Sequence, residues 1–324
     1  MATTGVLLLG FGGPENIDEV RPFMCNLMDR EPSDELVETV CQRYLAIGGG
    51  SPLPNIAASI AEGLEERLGQ AGSPAPVRVG MSYWHPFIAD SVAELMALGC
   101  DRIVTLSLSP FESKAASGAY RQAIEEVVAE HGHLEIVEAP LLSKREEFVE
   151  FFAGSTAVAI EDLEPNKGAV VVFTAHSLPE ADLVENDPYV AGLEEVAQEV
   201  AKKLGMALGY PGAGAQTLEG FRALGSTADP RAWFLAYQSK GARPGGWLGP
   251  QLEDFVLAVS ASEYTAIVVS PIGFATDHME TLYDLDIVAA GEALDADLEF
   301  MRAKVPNDDP RILDAITSML APLI

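Results

Sequence analysis

A histidine follows closely on a strongly apolar run of the sequence. The run Ala169–Thr174 is typical of a buried β-strand, and His176 comes two residues after it. A neutral imidazole at the end of such a strand can accept a proton or bind a metal ion near neutral pH. The alternative is a loop histidine that caps the next helix, and for a lone histidine the residues alone favour that alternative.

Acidic side chains recur at regular spacing after a second apolar run, Ala266–Ser270. If a helix begins at Asp277, the carboxylates of Asp277, Glu280 and Asp284 share one face, because positions three and four apart are neighbours on a helix. Like charges on one face repel, and a bound cation would relieve that repulsion. Hard oxygen ligands with one nitrogen suit ferrous iron. The spacing of Asp277 and Glu280 also fits a capping box, so both interpretations stay open.

A cation and a glycine-rich turn lie near the N-terminus. Arg43 and Tyr44 precede Gly48–Gly50, and a guanidinium can bind a ligand carboxylate through two hydrogen bonds. An ordinary helix end with a glycine cap is the alternative. The turn Phe11–Pro14 lacks the G-x-G-x-x-G spacing, and Pro14 has no N–H, which argues against a dinucleotide site there.

The elements that position these residues follow from the hydrophobic pattern. Short apolar runs, typical of strands buried on both faces of a parallel sheet, alternate with amphipathic segments. The predicted strands are Gly5–Leu9, Val77–Ser82, Ile103–Leu108, Leu134–Glu138, Ala169–Thr174, Phe234–Tyr237 and Ala266–Ser270. The predicted helices are Asn55–Leu68, Ile88–Leu98, Ala119–Glu130, Lys144–Ile160, Tyr189–Leu204, Leu252–Val259, Asp277–Ala290 and Pro310–Leu323. This alternation predicts a doubly wound α/β fold.

A break in the pattern near Asp162–Lys167 predicts two such doubly wound domains, residues 1–165 and 166–324. The last helix could pack back on the first domain. The segment Gly205–Arg231 is rich in Gly, Ala and Pro and has no clear period, so we predict an excursion from the fold. Ligands of open α/β sheets bind beyond the carboxyl ends of the strands, where His176 and Glu280 are placed.

The composition excludes several classes of partner. The net charge is −29, from 49 acidic and 20 basic residues, and such a surface repels nucleic acid and anionic membranes. Three scattered cysteines, Cys25, Cys41 and Cys100, indicate a reducing compartment. The N-terminal apolar run has no basic region before it, and no apolar stretch reaches the roughly 20 residues of a membrane helix. We expect a cytoplasmic protein without an integral membrane segment, and the sequence does not predict its oligomeric state.

Five segments resemble the signatures of the ferrochelatase family and occur in the order of that family. They are Leu9–Pro14, Arg43–Leu53, Thr174–Pro179, Gln238–Lys240 together with Trp247–Pro250, and Gly273–Asp284. The resemblance extends over nearly the whole chain. It implies an enzyme of haem biosynthesis that inserts Fe²⁺ into a porphyrin held in the cleft between two Rossmann-like domains.

The resemblance also assigns roles to residues. His176 would take pyrrole protons or bind the incoming iron, Glu280 would lie opposite it, and Asp277 and Asp284 would belong to an acidic path for the metal. The residues implied to bind the porphyrin are Phe11, Arg30, Arg43, Tyr44, Ser51 and Tyr120. The substrate would be coproporphyrin III or protoporphyrin IX, and the sequence does not choose between them.

The cofactor predictions rest on departures from some relatives. Phe11 stands where certain relatives that use coproporphyrin carry an iron-ligating tyrosine, and we expect its ring to pack on the macrocycle instead. No cysteine follows Cys100, so no iron–sulfur cluster is expected. Iron would be a substrate, and we expect no permanently bound cofactor.

Two other functions are compatible with the same residues. A chelatase that loads cobalt or nickel into a tetrapyrrole would be distinguished by metal-dependent turnover, and such relatives tend to use a histidine pair. A non-catalytic porphyrin or haem carrier would bind its ligand without metallating it. The base at His176 together with the acidic face after Ala266–Ser270 favours the iron chelatase over both.

Overall fold

A computed structural model describes residues 3–130, 133–165, 168–206, 232–241 and 243–324. The chain forms two compact units: Met1–Glu147 with Ala275–Met279 and Pro306–Ile324, and Phe148–Phe274 with Glu280–Val305. Each unit is built around a four-stranded, fully parallel sheet. The predicted excursion Gly205–Arg231 lies outside the described residues from position 207 onward.

The sheet of the first unit has the strand order β2-β1-β3-β4. Its strands are β1 Thr4–Gly10, β2 Val77–Met81, β3 Arg102–Ser107 and β4 Glu135–Glu138. Every residue of β1 is buried, as expected for a central strand covered by helices on both faces. The helices of this unit are α1 Val20–Met28, α2 Asp34–Ala46, α3 Leu53–Gln70, α4 Ile88–Ala97 and α5 Ala119–Glu130.

The sheet of the second unit repeats this topology in the order β6-β5-β7-β8. Its strands are β5 Ala169–His176, β6 Trp233–Gln238, β7 Ala266–Ser270 and β8 Glu299–Arg302. Helices α6 Glu146–Glu161, α7 Pro188–Lys203, α8 Leu252–Ser260, α9 Met279–Leu282 and α10 Ala290–Asp295 accompany it, with a π-helix at Asp284–Ala289 between the last two. In this order the direction of winding reverses between β5 and β7, which is where doubly wound folds bind their ligands.

The C-terminal helix, α11 Pro310–Leu320, completes the first unit by packing along α3. Its apolar face is buried, and Asp314 on its outer side pairs with Arg67 of α3 at 2.8 Å. Asp308, just before the helix, accepts a hydrogen bond from Ser59 at 2.6 Å. The last helix therefore belongs to the first unit.

The division between the units falls after Glu147, whereas the sequence analysis placed it between residues 165 and 166. Helix α6 is the reason, because it packs on the second sheet. The Thr156 hydroxyl donates to the Ser270 hydroxyl of β7 at 2.8 Å, and both residues are fully buried. The sequence break near Asp162–Lys167 is the loop that leads from α6 into β5.

All seven predicted strands are present with bounds within two residues. Four further elements, α1, α2, α10 and β8, were not predicted. Strand β8 is only four residues long and its residues are half-buried, so it lacks the continuous apolar run of an inner strand. Within the described ranges, no helix is both long enough and apolar enough to cross a membrane.

Candidate active site

The second sheet brings His176 to the point where its winding reverses. The β-branched and aromatic run of β5 is buried, and its last residue, His176, is half-exposed at the carboxyl end. Strand β7 lies beside β5 in parallel register, so the segment after Ser270 leaves the sheet at the same edge. Gly273 allows that segment to pass directly over β5, because a Cβ there would lie 2.6 Å from the Cα of Ala175.

The predicted pair of His176 and Glu280 is in contact. The imidazole Nδ1 lies 3.0 Å from the Glu280 carboxylate Oε2, and the two side chains keep 33% and 32% of their surface exposed. Burial alone would lower the pKa of His176. The charge of Glu280, its hydrogen bond and the charge of Asp284 outweigh that effect, so the pKa of His176 is raised above its ordinary value. The imidazole is therefore a stronger base than a free histidine.

The backbone of His176 is fixed by a residue that the sequence analysis did not select. The phenol of Tyr189, on α7, donates to the His176 carbonyl at 2.9 Å. Burial, together with the charges of Tyr237 and Glu280, holds the pKa of Tyr189 well above its ordinary value, so this phenol keeps its proton and remains a donor. Helix α7 begins at the Asp187 cap, whose carboxylate accepts from the Tyr189 N–H at 2.9 Å.

The prediction of one α-helix over Asp277–Ala290 is wrong in two respects. The helix begins later than Asp277, and part of the segment is a π-helix. Asn307 holds Asp277 outside any helix, because its side chain accepts from the Asp277 N–H at 2.7 Å and donates to the Asp277 carboxylate at 2.8 Å. Helix α9 begins at Met279, and the chain winds as a π-helix from Asp284. Since a π-helix has i→i+5 bonds, the regular spacing of the three acids does not define one α-helical face. The two hydrogen bonds with Asn307 also take the place of the capping box that the spacing of Asp277 and Glu280 would fit.

Asp284 is held by the loop after β6. The Ser239 hydroxyl donates to its Oδ2 at 2.5 Å. In the described part of the chain, no group of three or more His, Cys, Asp or Glu side chains is arranged to hold a metal ion. The four predicted metal ligands, His176, Glu280, Asp277 and Asp284, are thus not assembled into one such group.

The residues predicted to bind porphyrin lie in the first unit, in different environments. Phe11 is 38% exposed just after β1, and its ring packs against that of Tyr83, with ring centres 4.6 Å apart and planes tilted by 53°. Arg43 is exposed on α2, whereas its neighbour Tyr44 is 4% exposed in the core beside Phe23 and Trp84. The predicted Arg43–Tyr44 pair therefore faces in two directions.

The other three residues predicted to bind porphyrin differ in how exposed their side chains are. Arg30 is exposed just after α1 and forms no ion pair within the described residues. Ser51 is buried, and its hydroxyl accepts the Leu53 N–H at 3.3 Å, at the start of α3. Tyr120 is buried on α5, where its hydroxyl lies 3.4 Å from that of Ser109; burial raises its pKa to about 12.

The two glycine-rich motifs of the first unit pack against each other. The Ser51 N–H donates to the Pro14 carbonyl at 2.7 Å. A Cβ at Gly13 would lie 2.7 Å from the side chain of Ser51, and one at Gly50 would overlap the Glu15 backbone. Gly12 has φ +97°, a left-handed conformation that suits glycine. Close approach of the two loops therefore explains glycine at positions 13 and 50, and the left-handed backbone explains Gly12.

Solved structures with a similar fold are chelatases. SirB from Bacillus subtilis with Fe³⁺ matches with a TM-score of 0.58 at 13% identity, over 98% of this chain and 94% of SirB. CbiX, the terminal enzyme for biosynthesis of sirohaem in denitrifying bacteria, matches with a TM-score of 0.54 at 13% identity, over 99% of both chains. At this identity the likeness defines the fold class, a chelatase-like pair of doubly wound parallel sheets.

Sequence comparisons narrow the class to one family. A protein-family model described as ferrochelatase matches residues 3–322. A ferrochelatase of Herpetosiphon aurantiacus is 31% identical over 98% of both chains, and one of Deinococcus radiodurans is 28% identical over 98% of this chain and 94% of its own. A coproporphyrin III ferrochelatase of Halalkalibacterium halodurans is 28% identical over 98% of this chain and 96% of its own. The chain belongs to the ferrochelatase family, and it is an enzyme of the lyase class.

Proposed function

We propose that this chain inserts Fe²⁺ into a porphyrin at the His176–Glu280 pair. The observation that carries the proposal is the 3.0 Å contact between the imidazole and the carboxylate at the carboxyl edge of the second sheet, between β5 and β7. Family membership supplies the reaction class, and this contact supplies the groups that perform it. His176 is the proton acceptor or iron ligand, and Glu280 lies opposite it.

The proton balance of metallation explains why such a pair is needed. Two pyrrole N–H bonds break and bonds from those nitrogens to iron form, so two protons must leave for each iron that enters. A neutral His176 can take the two pyrrole protons one after the other and release each to solvent, since its side chain is one-third exposed. The imidazolium formed each time is stabilised by the adjacent Glu280 carboxylate. The raised pKa of His176 favours this transfer, because a stronger base holds the proton more firmly.

The acidic side chains beyond the pair have unequal roles in this proposal. Asp284 adds negative charge near His176 and favours the approach of a divalent cation. Asp277 is engaged by Asn307 through both its backbone and its carboxylate, so we do not assign it as a direct iron ligand.

The substrate is proposed as a porphyrin with propionate edges, either coproporphyrin III or protoporphyrin IX. Arg43 and Arg30 are exposed cations in the first unit, and a guanidinium can bind a propionate through two hydrogen bonds. One relative carries the name coproporphyrin III ferrochelatase, which makes that porphyrin one arm of the test. Phe11 offers an apolar ring and no ligating oxygen.

The test is anaerobic Fe²⁺ insertion followed by absorbance, with each porphyrin offered separately. Wild type is compared with His176→Ala and Glu280→Gln. We expect wild type to metallate one porphyrin faster than the other, and both variants to lose most of the rate while still binding it. A protein that binds porphyrin but never metallates it with iron, cobalt or nickel would be a carrier, and the proposal would fail.

A further inference from the structure

One glutamine contacts both chain segments that carry the His176–Glu280 pair. Gln238 is the last residue of β6, in register with His176 on the neighbouring strand β5. Its backbone carbonyl accepts the N–H of Ser177, the residue after His176, at 2.8 Å. Its side-chain Nε2 donates to the backbone carbonyl of Glu280, also at 2.8 Å. Gln238 therefore bridges the end of β5 and the start of the helical segment after β7.

The other end of the same side chain is left without a partner. Gln238 is 2% exposed, and its Oε1 is buried with no hydrogen bond from any described residue. Turning the amide over would place Oε1 against the Glu280 carbonyl, and two carbonyl oxygens cannot form a hydrogen bond, so Nε2 is the atom that faces Glu280. An unsatisfied buried acceptor is unfavourable. Gln251, a second buried glutamine of this unit, also has a buried Oε1 without a partner among the described residues, so the contact of Nε2 with the Glu280 carbonyl is what distinguishes Gln238.

The next residue acts on the same helical segment one turn further along. Ser239 has φ +60°, a left-handed conformation that is uncommon for a residue with a Cβ. Its hydroxyl donates to the carboxylate of Asp284 at 2.5 Å. The loop after β6 thus holds the backbone at Glu280 and the side chain at Asp284, which are the two acids whose charges act on His176.

We infer that Gln238 is a positioning residue of the insertion reaction, which keeps the Glu280 carboxylate within hydrogen-bonding distance of His176. The inference rests on the proposed function of that pair. Gln238 acts through the backbone of Glu280 and does not itself touch the reacting atoms. Loss of its N–H releases the Glu280 carbonyl, so the carboxylate is no longer held in one place. The chemical step slows, whereas porphyrin binding is unaffected.

The first test is the kinetics of Gln238→Met, which keeps the volume of the side chain and removes the amide. The matched control is Gln251→Met, because Gln251 is a second buried glutamine of the same unit. Its Nε2 donates to the Leu248 carbonyl at 2.7 Å and to the Ser177 hydroxyl at 3.3 Å but does not contact Glu280, so the control separates the Glu280 contact from contacts with the chain after His176. We expect Gln238→Met to lower kcat about tenfold or more, since small misplacements of reacting groups have effects of this size, with the KM for porphyrin unchanged. Gln251→Met should keep kcat. An unchanged kcat in Gln238→Met, or an equal loss in both variants, overturns the inference.

The second test does not depend on turnover. The chain has five histidines, so ¹⁵N-histidine labelling gives a simple spectrum, and His176→Ala identifies the His176 signal. The Nδ1 shift of His176 reports its hydrogen bond to Glu280. We expect Gln238→Met to move that shift in the direction of Glu280→Gln, and Gln251→Met to leave it in place. If wild type shows no insertion while the shifts behave in this way, the proposed function fails and the positioning role stands; if Gln238→Met leaves the shift unchanged, the positioning role fails.

Discussion

His176 and Glu280 are 104 residues apart in the chain, and 3.0 Å separates Nδ1 of the imidazole from Oε2 of the carboxylate. The contact forms because β5 and β7 are neighbours in the sheet, although α7, β6 and α8 come between them in sequence. Since both side chains remain about a third exposed, the pair is open to a substrate and to protons. The contact couples the charge on one group to the basicity of the other.

The first prediction concerns the pH dependence of insertion in Glu280→Gln. His176 must be neutral to accept a proton, so the rate rises as pH increases through the pKa of His176. Burial lowers that pKa, and Glu280 is the main group that raises it. Removing the carboxylate charge should therefore move the acid limb of kcat/KM to lower pH, with a lower maximum because the imidazolium loses its counter-charge.

The control for this profile is Glu199→Gln on α7. Glu199 is an exposed carboxylate of the same unit, paired with Lys202 at 3.2 Å, and it is not among the groups that shift the pKa of His176. The acid limb of kcat/KM in Glu199→Gln should lie at the same pH as in wild type. A Glu280→Gln profile that moves to higher pH would contradict the prediction.

The second prediction is that Tyr189→Phe slows insertion and weakens the fold. The change leaves the His176 carbonyl without the phenol that donates to it at 2.9 Å. Loss of a buried hydrogen bond costs about 1–3 kcal/mol when one partner stays unsatisfied. The rate should fall severalfold because the base is no longer fixed at its backbone. Tyr237→Phe is the control, since Tyr237 is buried on β6 and its hydroxyl bonds no described residue. Equal rate losses in the two variants would argue against a specific role for Tyr189.

Much of this arrangement follows from local sequence. The seven apolar runs predicted the strands because inner strands of a parallel sheet are buried on both faces. His176 and Glu280 were selected because they follow such strands, where doubly wound folds bind ligands. The identity of the pair depended on the resemblance to the ferrochelatase family, since the residues alone gave equal support to a capping box at Asp277 and Glu280.

The parts that could not be predicted depend on contacts between distant segments. Asn307 determines where the helix after β7 begins, and nothing in the local pattern of Asp277–Ala290 indicates that contact. Tyr189 and Gln238 act through backbone carbonyls, which a sequence does not mark. The domain boundary was misplaced because α6 has an ordinary amphipathic pattern, and only its buried contact with β7 shows which sheet it covers.

The third prediction tests the buried contact between α6 and β7. In Thr156→Val the shape is kept but the hydroxyl that bonds Ser270 is lost, so a fully buried Ser270 hydroxyl loses its partner. We expect a loss of about 1–3 kcal/mol in the free energy of unfolding. The double variant Thr156→Val with Ser270→Ala should recover part of that loss, because both polar groups are then removed. Urea unfolding followed by tryptophan fluorescence measures it, with the buried Trp233 reporting from the same unit. Strictly additive single effects would contradict the proposed pairing.

The fourth prediction concerns the contact of the two glycine-rich motifs. A Cβ at Gly50 would overlap the backbone of Glu15, which cannot move aside as the end of a flexible side chain could. Gly50→Ala should therefore force the loops apart and lower the free energy of unfolding by about 1–3 kcal/mol, as overpacking does.

Gly69→Ala is the matched control, because Gly69 lies exposed on α3 of the same unit and a Cβ there meets nothing within 4 Å. Alanine is the better helix former by up to about 1 kcal/mol, so this variant should be as stable as wild type or more stable. Thermal unfolding of both variants gives the comparison. If Gly50→Ala is as stable as Gly69→Ala, close packing is not the reason for glycine at position 50. A ligand that approaches the backbone there would then become the better explanation, and porphyrin affinity of Gly50→Ala would be the measurement to make.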